Sequence, residues 1–281
     1  MVIIDVQRCG PSTGIPSKSE QSDLNHAIYG GHGDAPRVVI APYDIEGCYR
    51  LVIESLNIAQ RFQTVVVVLS DQYLGQTFVA VDGAFLEVDY PVWDRKTPGP
   101  GDVGRYRRYQ HTGDYISPMS AAGDEGLAYR TSGLTHNEDG APAFDFETHQ
   151  GLHDKRWRKL APLADRKDLV QFFGNDEARR GVVTWGSSAQ VVLETVRELG
   201  IDGEVRVCVP ELIHPLPKVL QDFAGSMEYL LTVEMNHSGQ MHRYLRSEMD
   251  LPRNAACYCR AGGRPFSRDE LRAPIVQLVA R

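Results

Sequence analysis

The segment Met1–Gln21, MVIIDVQRCGPSTGIPSKSEQ, decides how the rest of the chain is read. Its opening MVIIDV is mostly apolar and strand-sized. The ten positions Arg8 to Ser17 then set one arginine among three hydroxyl side chains (Ser12, Thr13, Ser17), two glycines and two prolines. Ser17-Lys18-Ser19-Glu20 has the S-x-x-E form of a capping box, in which Ser17 accepts from an early helix amide and Glu20 reaches back to the cap. The helix is expected to run through Leu24 and Ile28 and to stop at Gly30-Gly31. Strand, shaped loop and helix start in succession spell a β/α unit. Its loop sits at the carboxyl end of a strand, the crevice where ligands of open α/β sheets collect.

These pieces favour an anion. An arginine fork holds a carboxylate with two charge-assisted hydrogen bonds, and the hydroxyls of Ser12, Thr13 and Ser17 add donors without charge. A helix N-terminus adds free amides and a partial positive charge. The same residues also allow a plainer reading: Gly10, Pro11, Gly14 and Pro16 shape a turn, Ser17 only caps, and Arg8 pairs with a surface acid. Spacing alone leaves both open.

Outward from this loop, RVVIA (Arg37–Ala41) and TVVVVL (Thr64–Leu69) are Val/Ile-rich runs without strict polar alternation, as in parallel strands covered on both faces. Between them a helical period places Ile45, Leu51 or Val52, Leu56 and Ala59 on one face. From about Gln76 to Asp165 no period holds, and Gly, Pro, aromatic and charged residues mix, as in TPGPGDVG and RYRRYQHTGDYISP. So long a connection is uncommon within a compact domain, and residues 76–167 are expected to form a crossing arm.

The β/α alternation resumes at Asp168. A strand around GVVTW leads to a helix through AQVVLETVREL, stopped by Gly200. Then come strand EVRVCV, the turn PELIHPLP, helix KVLQDFA, strand EYLLTVEM and a helix through QMHRYLR. The expected fold is α/β: a partial parallel-sheet domain over 1–75, the arm, a second and smaller α/β domain over 168–250, and a C-terminal extension over 251–281.

Composition narrows the function. In 281 residues, 37 acids against 30 bases give a formal charge of -7, so a nucleic-acid partner has no bulk electrostatic support. The longest apolar runs are far short of the roughly 20 residues of a membrane span, and no signal peptide is visible. Five cysteines, an odd number, suit free thiols in a reducing compartment, so a cytoplasmic protein is expected.

Several chemical motifs stop short. Cys257-Tyr258-Cys259 is half of a metal or cluster site, with Cys9, Cys48 and Cys208 scattered. His149 and His153 have helical metal spacing but lack the glutamate of H-E-x-x-H, which favours a solvated helix face. Arg105–Tyr109 and Lys155–Lys159 are basic-aromatic clusters suited to stacking bases, to coenzyme A phosphates or, more simply, to subunit contacts. Gly186-Ser187-Ser188 is an incomplete nucleophile elbow whose Ser187 also suits an N-cap. His32 and His214 have no partner identifiable from sequence and read as packing or turn residues rather than general bases.

The stretch VQRCGPSTGIPSKSEQSDLNHAIYGGHGDAPR, Val6–Arg37, closely resembles the α subunit of 2-oxoacid:ferredoxin oxidoreductases, above all the 2-oxoglutarate type, where QRxGPSTGxPTKTEQ(S/A)DL precedes YGxHGD. Further similarity lies in LSDQYLGQ, RYRRY, GDYISP, GLTHNEDGAP, HQGLHDKRWRKL, TWGSSAQ, PLP, VEMNHSGQMHRYLR and GRPF, so the resemblance covers nearly the whole chain.

That resemblance implies a multi-subunit thiamine diphosphate enzyme that decarboxylates a 2-oxoacid, passes electrons through iron-sulfur clusters to ferredoxin and gives the acyl group to coenzyme A. It implies a pyrimidine-type domain for residues 1–75 and a transketolase C-terminal-like domain for 168–250. Arg8 matches the family's carboxylate-binding arginine, and Ser17 a threonine close to the substrate; Ser12 and Thr13 would line the same site. Ser17 and Ser19 replace family threonines and keep the hydroxyl, whereas Cys9 replaces a usual glycine. The family's YPITP-type segment and the glutamate that activates the cofactor lie upstream of this stretch. The pyrophosphate and magnesium site and the cluster cysteines belong largely to the β subunit, so no cofactor is expected on this chain alone. The alternative from another class is a non-catalytic scaffold derived from the family.

Overall fold

The computed structural model describes residues 1–280. Strands β1 (Val2–Gln7), β2 (Val38–Ile40) and β3 (Val66–Asp71) form parallel pairs in the spatial order β1-β3-β2, with Gln7 opposite Asp71 at the carboxyl ends. Helix α1 (Leu24–Tyr29) covers one face and helix α2 (Ile45–Phe62) the other. Alternate residues of β3 divide between them: Val67 and Leu69 join the α1 core, and Val66 joins the α2 core.

Helix α2 starts where Asp44 accepts from the Gly47 amide at 2.6 Å, a side-chain N-cap. Its buried stripe is Leu51, Ser55, Ile58 and Phe62. Leu56, expected on that face, is exposed, because buried Ser55 turns its hydroxyl back to the Leu51 carbonyl at 2.6 Å and so occupies the inward position.

The arm after α3 (Gln72–Gln76) runs mostly without regular structure until α4 (Phe146–Arg158), and it wraps its own first sheet. Asn57 of α2 donates to Pro91 O and accepts from the Trp93 amide; Gln63 donates to Ser117 O. Ile116, Leu160 and Leu163 then complete the core under α2.

The second sheet has the order β4-β6-β5-β8-β9, from β4 (Val170–Gly174), β5 (Arg180–Thr184), β6 (Val205–Pro210), β8 (Tyr229–Glu234) and β9 (Asn254–Cys259). It is parallel except for β4. Helix α5 (Ser188–Leu199) ends where Gly200 takes φ +67°, the left-handed stop that glycine adopts without steric cost. Helices α6 (Lys218–Ser226) and α7 (Gln240–Glu248) follow. The stretch expected as an extension, 251–281, instead supplies β9 and α8 (Arg268–Val279), whose Leu271 and Ile275 are buried against α5 residues. The second sheet is therefore not the smaller one.

The segment read as a turn, PELIHPLP, contains β7 (Leu212–His214), which pairs antiparallel with β2 and so adds a strand to the first sheet. Leu212 and Ile213 are fully buried there. One core consequently runs through both sheets, from Leu24, Val67 and Leu69 to Trp185, Ile213, Phe223 and Tyr244. Strand β1 closes the other edge incompletely: Ile3, Ile4 and Val6 are exposed. Burying such a side chain stabilises by roughly 1.5–3 kcal/mol, so this edge forgoes several. No helix among the described residues is long and apolar enough to cross a membrane.

Candidate functional site

The loop after β1 closes on itself. The Cys9 amide donates to Lys18 O at 2.8 Å, and the Gly14 amide donates to Pro11 O at 3.0 Å. A side chain at Gly14, φ +49°, would lie 2.1 Å from Cys9 O, so only glycine fits that approach. Ser12 and Ser17 both hold left-handed backbone, φ +53° and +54°, a conformation that costs a non-glycine residue energy and clusters at functional sites.

Arg8 organises this ring from within. Its guanidinium donates to Thr13 O at 2.8 Å, Cys9 O at 3.1 Å and Ser12 O at 3.2 Å. These three acceptors are neutral carbonyls, and among the described residues no carboxylate pairs with Arg8. The plainer expectation, a surface ion pair, is not met. The charge is fixed in place and exposed, with Asp23 acting on it at longer range and no carboxylate in direct contact. Ser12, Thr13 and Ser17 are exposed around it.

The capping box does not form. Helix α1 begins at Leu24 after Asp23, and neither Ser17 nor Glu20 caps it. Ser19 and Glu20 are instead taken up by distant amides: Glu20 accepts from the Gly262 amide at 3.1 Å and Ser19 O from the Gly263 amide at 3.1 Å, both in the segment after β9, and Ser19 Oγ accepts from the Tyr73 amide of α3 at 2.7 Å. Helix-terminal amides therefore do not contribute next to Ser17.

Cys9, the departure from the family's glycine, is buried, and burial pushes its thiol up. Its Sγ donates to Ser19 O at 3.4 Å, and a side chain at Gly262 would come within 2.9 Å of it. The thiol thus fills space between the loop and the segment after β9 rather than the exposed face around Arg8.

Sequence reasoning missed the belt that holds this loop. Fully buried Gln21 donates to Trp185 O at 2.6 Å and accepts from Ser188 Oγ at 2.7 Å and the Met235 amide at 2.8 Å. Its own amide donates to Met235 O at 2.7 Å, and its carbonyl accepts from Asn236 Nδ2 at 3.1 Å. Trp185 and Met235 directly follow β5 and β8, so the segment after β1 is fastened to the carboxyl ends of two strands of the second sheet.

Asp71, at the end of β3, accepts from Ser187 Oγ and from the Leu74 amide at 3.0 Å; burial raises its carboxyl and these bonds pull it back. Glu234 is likewise raised by burial while accepting from the His242 amide at 2.9 Å and the Met241 amide at 2.8 Å at the start of α7. The SEQ, TWGSSAQ and NHSGQ stretches carry the polar residues of these contacts, but nothing local in the sequence pairs Gln21 with partners more than 160 positions away.

The other motifs resolve simply. Ser187 is spent on Asp71, so neither a nucleophile elbow nor a side-chain cap forms. His149 and His153 meet edge to face on α4 with ring centroids 4.6 Å apart, and His214 is buried with Nδ1 2.9 Å from the Tyr244 hydroxyl. All five cysteines are free. Among the described residues no group of three His, Cys, Asp or Glu side chains is placed to hold a metal ion. The loop carries two cations, Arg8 and Lys18, and no group of acids to hold magnesium, so these residues do not by themselves fit a magnesium-bound diphosphate.

Comparison with known proteins gives the family. Over 287 residues the chain is 30% identical to 2-oxoacid:ferredoxin oxidoreductase 1, subunit alpha, of Sulfurisphaera tokodaii, covering 99% of this chain and 44% of that one. It is 32% identical over 247 residues to the 2-oxoglutarate synthase subunit KorA of Methanothermobacter marburgensis, covering 86% of this chain and 64% of that relative. Among solved structures, a 2-oxoglutarate:ferredoxin oxidoreductase from Magnetococcus marinus with 2-oxoglutarate, coenzyme A and succinyl-CoA bound superposes with a TM-score of 0.90 at 35% identity, covering 99% of this chain and 48% of that one. The chain thus spans less than half the length of two of these three relatives. Residues 1–154, which carry the Arg8 loop, the first three strands and most of the arm, match the family model for pyruvate flavodoxin/ferredoxin oxidoreductase, thiamine diphosphate-binding, and the chain belongs to that family.

Proposed function

We propose that this chain is α-subunit sequence of a thiamine diphosphate-dependent 2-oxoacid:ferredoxin oxidoreductase, and that its Arg8 loop receives the substrate carboxylate. The observation that carries the reading is the state of Arg8: oriented by three loop carbonyls, exposed, and without a carboxylate partner. Ser12, Thr13 and Ser17 supply hydroxyl donors around the same anion. A 2-oxoacid places its carboxylate beside the ketone carbon, so anchoring the carboxylate orients the reacting carbon and lowers the entropic part of the barrier. 2-Oxoglutarate is the substrate favoured by the likeness to the Magnetococcus enzyme.

In this reading, another chain covers the open β1 edge and completes the site. That β subunit brings magnesium, the diphosphate contacts and an iron-sulfur cluster, with ferredoxin as electron acceptor and coenzyme A as acyl acceptor. Free thiols agree with a cytoplasmic enzyme. The test is purification of the chain with its partner and assay of 2-oxoacid-dependent viologen reduction in the presence of coenzyme A. Reduction with 2-oxoglutarate supports the reading; a partner complex that takes up no thiamine diphosphate and reduces no dye replaces it with a scaffold.

A further inference from the structure

The two basic-aromatic clusters, far apart in sequence, come together in the fold. They line a cavity of about 180 Å³ between the arm, α4 and the end of α2, with Arg108, Lys155, Arg156 and Lys159 on its wall beside Tyr109 and Tyr115. None of the Arg8 loop contributes to it.

The cations here are placed rather than merely solvated. Lys155 is 9% exposed, and its ammonium donates to Tyr109 O at 2.6 Å, Gln110 O at 3.1 Å and Ser117 Oγ at 2.5 Å. Lys159 donates to Gln63 O at 2.9 Å. Arg108 donates to Gln63 Oε1 at 2.7 Å, with its guanidinium carbon 5.1 Å from the Tyr109 ring centroid.

Among the described residues none of these four cations forms an ion pair. Glu138, the acid that acts on Lys155 at longer range, is engaged by Arg107 at 3.0 Å and by the His111 amide at 2.8 Å. Lys155 and Lys159 are also four residues apart on α4, a spacing at which like charges destabilise a helix. Burial first, and the neighbouring cations second, bring both lysines down to about 8.

The carbonyl ends of α4 and α2 offset part of the lysine charge, as the Lys159 to Gln63 O bond shows. They leave the guanidinium of Arg156 without a partner among the described residues. In a chain of net charge -7, gathering four cations and no carboxylate on one cavity costs energy unless an anion enters. The three ammonium hydrogens of Lys155 are spent on Tyr109 O, Gln110 O and Ser117 Oγ, so it adds charge alone; the donors left on Arg156, Arg108 and Lys159 still exceed what one carboxylate uses and suit a tetrahedral dianion. The cavity has room for that group but not for a whole nucleotide, whose base and sugar would lie outside.

We propose that this cavity binds a phosphate group, either free or carried by a nucleotide. The proposal is independent of the 2-oxoacid reading, and its test uses no oxoacid. The 281-residue chain is titrated calorimetrically with inorganic phosphate at pH 7.5, with chloride holding the ionic strength constant. Saturable one-site binding is expected, weakened about tenfold or more in Arg156→Gln, the loss of one charge-assisted contact. Because Arg156 makes no hydrogen bond within the described residues and its loss relieves repulsion on Lys155 and Lys159, the urea midpoint of that variant should not fall below wild type, which separates lost binding from misfolding. Bound phosphate should also slow acylation of Lys159.

Adenosine 3′,5′-bisphosphate, adenosine and inorganic phosphate then distinguish the source. Tighter binding of the bisphosphate, with none of adenosine, assigns a nucleotide-borne phosphate, and equal affinities assign the free ion. Absence of saturable phosphate binding up to about 10 mM, or binding that Arg156→Gln leaves unchanged, overturns the proposal. The first of these results is also the one expected if an acidic side chain of another subunit fills the cavity.

Discussion

Replacing Gln21 by alanine tests how the loop is held. The substitution removes three side-chain hydrogen bonds and strands Trp185 O, Ser188 Oγ and the Met235 amide in a fully buried setting. Leaving a buried polar group unsatisfied costs about 1–3 kcal/mol, so three of them give roughly 3 kcal/mol even at the low end. Against a total stability of about 5–15 kcal/mol that is a large fraction. With a urea slope near 3 kcal/mol/M the midpoint should fall by about 1 M.

Trp185, buried and bonded to Gln21, makes intrinsic fluorescence a direct readout. Because one core joins both sheets, the loss should shift a single transition rather than split it. Gln21→Glu keeps the volume and the acceptor for Ser188 and Met235 but loses the donor to Trp185 O; it should also destabilise, which separates the bonds from a simple cavity effect. A midpoint shift under about 0.3 M in Gln21→Ala would refute the belt as the loop's anchor.

His214 is buried and neutral, brought down to about 4 by burial, so the unfolded chain binds its proton more readily between that value and about 6.5. Its contribution is therefore complete above pH 6.5 and is lost as pH falls toward 4, by about 3 kcal/mol in total; urea midpoints against pH should show this slope in wild type and not in His214→Gln. Ile4→Lys on the exposed β1 edge should leave unfolding of the chain within about 0.5 kcal/mol of wild type, while recovery of a co-purifying β subunit falls sharply; undiminished recovery would place the interface elsewhere. In Gly262→Ala the new methyl would meet Ser19 O at 2.1 Å and Cys9 Sγ at 2.9 Å, so the loop must shift, and oxoacid-dependent dye reduction by the assembled enzyme should fall while Trp185 fluorescence stays native.

The β/α order was legible because strands β1, β3, β5 and β8 are built around short Val, Ile and Leu runs and α5 carries both an apolar period and a glycine stop. Strand β7 was not, because its three residues, set between Pro210 and Pro215, are too few to show a period, and its partner β2 lies more than a hundred positions earlier. The capping box failed because the left-handed turn at Ser17 and the bonds of Ser19 and Glu20 to distant amides outcompete a local helix start. Arg8 and its hydroxyl neighbours stood out as a motif, but the Gln21 belt joins residues over 160 positions apart and has no local signature.

The most direct test of the account is kcat/KM for 2-oxoglutarate in the assembled enzyme carrying Arg8→Gln, with Arg8→Lys alongside. Loss of a fork held by two charge-assisted bonds should lower kcat/KM by about 10²-fold or more in the glutamine variant, and by less in the lysine variant, which keeps the charge. Values within about twofold of wild type in Arg8→Gln would contradict the claim that this guanidinium receives the substrate carboxylate.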